Sequence, residues 1–180
     1  TTTGCLIWRV LHFEVEFADT LPVTPSKILV SACLLGEPVR YDGPAQPLQD
    51  ALLAQWRREG RVIPCCPELA GGLPVPRAPA ERQADGRIVT RGGQDVSAAF
   101  ACGAACALAL CRQHGIRLAL LKARSPSCGN REIYDGHFRG QRIAGVGVTA
   151  ALLRQQGIDV YSELELAALA ARVAELDARG

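Results

Sequence analysis

The sequence predicts a single-domain α/β fold, a Rossmann-like layered arrangement in which a mainly parallel sheet is flanked by helices. Two observations carry that prediction. From Lys27 onward, short and nearly continuous apolar runs alternate with helical stretches, the order in which right-handed crossovers build a parallel sheet. With 180 residues, 48% of them hydrophobic, the chain is also long enough to bury one core without covalent staples.

The elements follow in order. Residues 1–26 stand apart from the rest as a leader, in which "LHFEVEF" alternates apolar and polar residues. That pattern predicts either an edge strand or a disordered extension, and no chemistry is assigned to it. Residues 27–180 form the expected α/β domain. "KILVSA" reads as a strand covered on both faces, and "LQDALLAQWRREG" as a helix ended by Gly60. "RVIPC" is a second strand, stopped by Pro67. A long loop over 67–93 carries four prolines, with a small hairpin expected at Asp85-Gly86. Loops of this length inside a compact domain usually serve a site.

Asp95 is the expected N-cap of a helix reaching His114, closed by Gly115. "RLALLKA" is the third strand, and the segment 125–145 is a loop and a hairpin turning at Asp135 and Gly136. Thr149 begins another helix, "IDVYS" is a fourth strand, and a last helix is opened by the capping pair Ser162 and Glu165.

Charge and hydropathy narrow the function classes. The formal charge of +2 and pI near 8.2 do not demand a nucleic-acid partner. No run approaches the roughly 18 apolar residues of a membrane span, and the leader lacks a secretory pattern, so a cytoplasmic address is expected.

Eight cysteines require an explanation, because a cytosolic chain of this size more often uses thiols for metal or chemistry than for disulfides. Cys102, Cys106 and Cys111 lie in an alanine- and leucine-rich helix, where core filling is the expected role. Cys33, Cys66 and Cys128 are different. Each follows one of the first three strands, and in a parallel sheet ligands gather beyond the carboxyl ends of the strands. The three thiols are therefore expected to converge. A zinc site completed by another ligand, an iron-sulfur cluster with three protein ligands, and a nucleophile with resolving partners all suit such a trio. The absence of a local CxxC pair disfavours structural zinc.

Polar neighbours point to catalysis. Glu68, two positions beyond Cys66, is placed to exchange protons, and Ser125 and Ser127 bracket Pro126 with hydroxyls. Lys122, Arg77 and Arg40 are cations suited to balancing anionic sulfur, while Asp42 in "RYDG" is a turn former beside them. Cys65 directly precedes Cys66, and strand alternation would send the two to opposite faces.

"SACLLGEPVRYDG", "CPELAGGLPVPRAPAE", "GQDVSAAFACGA" and "LKARSPSCGN" together resemble, in order and character, the bacterial thiouracil desulfidase family over about residues 27–162. The resemblance implies a 4Fe-4S cluster held by Cys33, Cys66 and Cys128, with one iron lacking a protein ligand. It also implies Glu68 and Ser125 as the acid-base and positioning residues, with Ser127, Lys122, Arg77 and Asp42 around substrate or cluster. The implied reaction is hydrolytic removal of sulfur from a thiolated pyrimidine such as 2-thiouracil, giving uracil and hydrosulfide without net redox change. Desulfidation of thiouridine in tRNA, or a non-catalytic iron-sulfur or zinc-binding module, are the alternatives. A small-molecule partner is favoured because no basic RNA-binding surface is visible in the composition.

Overall fold

A computed structural model describes residues 24–43, 45 and 47–179, so the leader's "LHFEVEF" lies outside the described residues. Strand β1 (Ile28–Ser31) is buried on both faces and pairs in parallel with β2 (Val62–Cys65) and β5 (Leu118–Leu121). Strand β8 (Asp159–Ser162) pairs in parallel with β5, completing the order β2-β1-β5-β8. The central strands are apolar throughout because both faces are covered.

Alternation within those strands sorts side chains into two layers. Leu29, Ala119 and Leu121 pack with Ala107, Leu108 and Cys111 of α3 (Ser97–His114) and Leu153 of α4 (Val148–Gln155). Ile28, Val30, Leu118 and Leu120 face the opposite way, against Leu53 and Trp56 of α1 (Ala51–Arg58) and Leu169 and Val173 of α5 (Leu166–Arg179). Helices on both faces of a parallel sheet are the expected α/β architecture. Among the described residues no helix is long and apolar enough to cross a membrane.

Most element ends follow local chemistry. The Asp50 carboxylate accepts the amides of Leu52 and Leu53 and caps α1, while Gly60 and Gly115 end their helices with φ of 69° and 63°. Asp95 accepts the Ser97 amide at 2.9 Å, so its carboxylate serves the first turn of α3. Glu165 accepts both the amide and the hydroxyl of Ser162, each at 3.0 Å, before α5 begins at Leu166.

Two segments differ from the sequence reading. The long loop contains a short helix, α2 (Pro67–Ala70), started by a proline whose fixed φ suits the first helical position. Helix α2 sits directly on α3. A Cβ on Gly103 would lie 1.9 Å from the Pro67 carbonyl oxygen, and one on Gly71 would lie 2.0 Å from that of Ala99. The hairpin β3 (Ala80–Arg82) and β4 (Ile88–Thr90) forms around Asp85-Gly86 as expected.

The second hairpin, β6 (Glu132–Tyr134) and β7 (Arg142–Ala144), does not turn at Asp135-Gly136 alone. Its connection spans 135–141 and is closed by the Asp135 amide donating to the Gln141 carbonyl at 3.1 Å. Tertiary contacts widen it. Gly136 lies so close to the first hairpin that a Cβ would meet the Arg82 carbonyl oxygen at 2.8 Å.

Candidate active site

Strands β1, β2 and β5 end at the same edge of the sheet, and each delivers a cysteine there. After Ser31 the chain tightens into a 3-10 turn, Ala32–Leu35, that carries Cys33 and is ended by Gly36 at φ 94°. Cys66 is the residue before α2, at the end of β2. Cys128 lies in the loop after β5. All three line one cavity of about 750 Å³, together with Glu68, Ser125, Arg77, Lys122 and Arg40. The parallel topology thus brings three thiols distant along the chain to the wall of one cavity.

Burial dominates the electrostatics of this trio. It pushes the Cys33 thiol up to about 11, with the neighbouring Cys66 adding to the rise and Lys122 and Arg40 opposing it. Cys66 is raised by burial, and Cys128 is raised strongly by burial and by Glu68. Three such thiols stay protonated unless a cationic centre binds the thiolates. Ser31 reinforces the arrangement, its hydroxyl accepting the Lys122 amide at 2.9 Å and donating toward Cys128 Sγ at 3.8 Å. Among the described residues, no three His, Cys, Asp or Glu side chains gather closely enough to hold a single metal ion.

Glu68 and Ser125 face each other across the cavity wall. Arg77 Nε donates to Glu68 Oε2 at 2.7 Å, and Arg77 Nη2 donates to the Val39 carbonyl at 3.1 Å. Ser125 Oγ accepts the amides of Ser127 and Cys128 at 3.0 and 3.2 Å, and reaches Glu68 Oε1 at 3.4 Å. One hydroxyl therefore shapes the Cys128 loop and meets the carboxylate. A carboxylate oriented by a guanidinium and set beside a hydroxyl in a cavity wall can pass a proton.

The remaining sequence candidates divide. Lys122 lines the cavity and pairs with Glu163, whose other oxygen accepts the Ala123 amide at 2.8 Å. Ser127 is outside the cavity wall. Its hydroxyl bonds Thr149 at 2.8 Å, and its carbonyl accepts the first amides of α4, so it supports the Cys128 loop from behind. Asp42 is also outside the wall, paired at 3.0 Å with Arg40 near the rim.

Cys65 borders the cavity but is embedded with Cys111 in the α3 layer, where burial raises its thiol to about 12. Of the three α3 cysteines, Cys111 is buried as expected, Cys106 is half-buried, and Cys102 is exposed and fills no core. The sequence reading missed Ser31, Glu81, Tyr134 and Phe138 in the wall, and Glu163, which pairs with Lys122 from behind it. Ser31 ending an apolar strand was a usable signal; the others are placed only by tertiary contacts.

Fold and site together define an α/β protein with a cavity lined by cysteines from three strand ends and by a carboxylate, a guanidinium and a hydroxyl. The chain belongs to the 2-thiouracil desulfurase family, whose sequence model matches residues 28–165. It is 41% identical over 148 residues to the protein YbbK of Bacillus subtilis (strain 168), covering 77% of this chain and 97% of that one. It is also similar to the solved structure of the 4Fe-4S-dependent thiouracil desulfidase TudS, with a TM-score of 0.81 and 54% identity, over 83% of this chain and 98% of that chain.

Proposed function

We propose that this protein is an iron-sulfur-dependent desulfidase that hydrolyses a thiolated pyrimidine such as 2-thiouracil to uracil and hydrosulfide. The observation that carries the reading is the opening of Cys33, Cys66 and Cys128 into one cavity whose wall also holds Glu68 and Ser125. Similarity to TudS supports the cofactor class, and the donor set fits it. Three thiols brought by separate loops, Cys33 and Cys128 buried and Cys66 half-buried, offer a soft sulfur donor set of the kind that holds an iron-sulfur centre.

Cys33, Cys66 and Cys128 would hold a 4Fe-4S cluster with one iron left without a protein ligand. Such a cluster supplies, when bound, a soft Lewis acid that polarises a thiocarbonyl. The chain's own residues do the rest. Glu68, aligned by Arg77, takes a proton from the water that attacks the ring carbon. Ser125, at 3.4 Å from Glu68, orients that water or the leaving sulfur, and the cavity walls limit competing solvent. Lys122 and Arg40 offset negative charge around the thiolates. The balance is one thiocarbonyl and one water giving one carbonyl and one hydrogen sulfide, with no net oxidation or reduction. The partner is a small thiolated pyrimidine, acting in the cytoplasm.

Anaerobically reconstituted enzyme tests this reading. Wild type is expected to contain iron and acid-labile sulfide and to release hydrosulfide from 2-thiouracil, with Glu68→Gln and Cys128→Ser strongly impaired. Stoichiometric zinc without iron, or unchanged release by both variants, would sink it. A binding module without catalysis would load normally and release nothing.

A further inference from the structure

The cavity has a second wall that the proposed chemistry leaves unused. It is built where the two hairpins meet, and Phe138, in the 135–141 connection, lines it. Phe138 has φ of 55°, a left-handed conformation that a bulky side chain adopts only when its surroundings enforce it.

The surroundings enforce it from the other hairpin. The Phe138 amide donates to Glu81 Oε2 at 3.0 Å, and the Arg91 guanidinium lies 5.6 Å from the centre of the ring. Gln83 Nε2 donates to the Gly136 carbonyl at 2.9 Å, and Arg82 Nη1 to the carbonyl of Val146, just past the second hairpin, at 2.7 Å, so the first hairpin is fastened to the second and to the chain that follows it. Glu81 is only 8% exposed, and among the described residues its carboxylate accepts from that one amide. Spending a buried carboxylate on a loop amide makes physical sense if the loop must hold one position.

We propose that Phe138 is the residue that selects a flat aromatic thione, its ring packing against the substrate's pyrimidine ring, and that Glu81 is the positioning residue that fixes it. This rests on the desulfidase reading of the same cavity. A thiocarbonyl flanked by nitrogens also occurs in non-aromatic molecules, and the thiols, Glu68 and Ser125 do not distinguish a planar ring from a puckered one. An aromatic face does, because stacking rewards a planar π-system over a puckered ring.

The test uses cluster-loaded wild type, Phe138→Ala, Phe138→Leu, Glu81→Ala and Glu81→Gln, with 2-thiouracil and its 5,6-dihydro analogue as substrates. Phe138→Ala and Phe138→Leu are expected to raise KM for 2-thiouracil by about tenfold, with kcat changed much less and with little effect on the dihydro analogue. Glu81→Ala should raise the same KM, whereas Glu81→Gln, whose amide oxygen still accepts the Phe138 amide, should restore it. Iron content and visible absorbance should match wild type in all four variants. Equilibrium binding of uracil to the loaded enzyme gives a readout independent of turnover, and it should weaken by about tenfold in Phe138→Ala. An unchanged KM and uracil affinity in Phe138→Ala, equal losses on both substrates, or no uracil binding by wild type would overturn the proposal. Absence of hydrosulfide release by wild type would instead count against the desulfidase reading, and the uracil measurement separates the two.

Discussion

Arg77 grips Glu68 from the side, with Nε 2.7 Å from Oε2, while another nitrogen of the same guanidinium donates to the Val39 carbonyl at 3.1 Å. Val39 is also the contact of Cys66, whose Sγ lies 3.9 Å from its carbonyl oxygen. One planar side chain thus ties the proposed proton carrier to the loop that steadies a proposed cluster ligand.

Replacing Arg77 by lysine is expected to lower kcat for hydrosulfide release by about tenfold to a hundredfold, because an ammonium cannot serve both partners in one plane. Iron content should fall little. Initial rates with parallel iron determination check this, and a lysine variant of wild-type rate would show that Glu68 needs no such alignment.

Gly103→Ala tests the seat of α2. The new Cβ would fall 1.9 Å from the Pro67 carbonyl oxygen, so the two backbones must separate. A loss of about 1–3 kcal/mol is expected, seen as a lower midpoint in denaturant unfolding. Iron loading should drop as well, since Cys66 and Glu68 travel with α2. A variant equal to wild type in both measurements would show that α2 is not held by this contact.

Acid should weaken the base of the Cys128 loop through Glu165. Burial works against its ionisation, but hydrogen bonds from Asn130, Ser162 and Arg131 outweigh that and bring its carboxyl down to about 2. Lowered in the folded state, the group adds stability that is complete above its unfolded value near 4.5 and is lost as pH falls toward 2. Glu165→Gln should therefore be less stable than wild type at pH 6, and the difference should shrink as pH is taken down. Urea midpoints over that range measure it.

Alkali should separate loaded from cluster-free protein. Cys33 is held up to about 11 by burial, so in the cluster-free protein it contributes stability that is present below the unfolded value near 9 and is lost as pH rises toward 11. Cluster-free protein is expected to lose thermal stability between those values, and Cys33→Ala to blunt the loss. Protein carrying the cluster, with its thiolates already engaged, should show a flatter profile. Identical alkaline profiles for loaded and cluster-free protein would contradict this.

The fold was legible because its signals are local. Unbroken apolar runs at "KILVSA" and "RLALLKA" mark strands covered on both faces, and Gly60 and Gly115 end helices through their own backbone freedom. That Cys33, Cys66 and Cys128 lie at one edge and line one cavity was legible for a related reason. Parallel strands must all end at one edge, so residues that follow them share it whatever their separation in the chain.

Other features lay beyond that reach. The short helix at Pro67 depends on Gly71 and Gly103 letting two backbones approach, and the wide 135–141 connection depends on Glu81 and Gln83 from another hairpin. Ser127 and Asp42 lie outside the cavity wall: the Ser127 hydroxyl bonds Thr149 and also meets the Cys128 thiol from behind the loop, and Asp42 pairs with Arg40. By itself the sequence determined the layered architecture, the edge on which chemistry gathers and the trio of sulfurs brought there. Only the tertiary structure decided which neighbours enter the cavity and what opposes the cysteines across it. Side-chain direction in a loop is set by long-range contacts, and those have no periodicity to read.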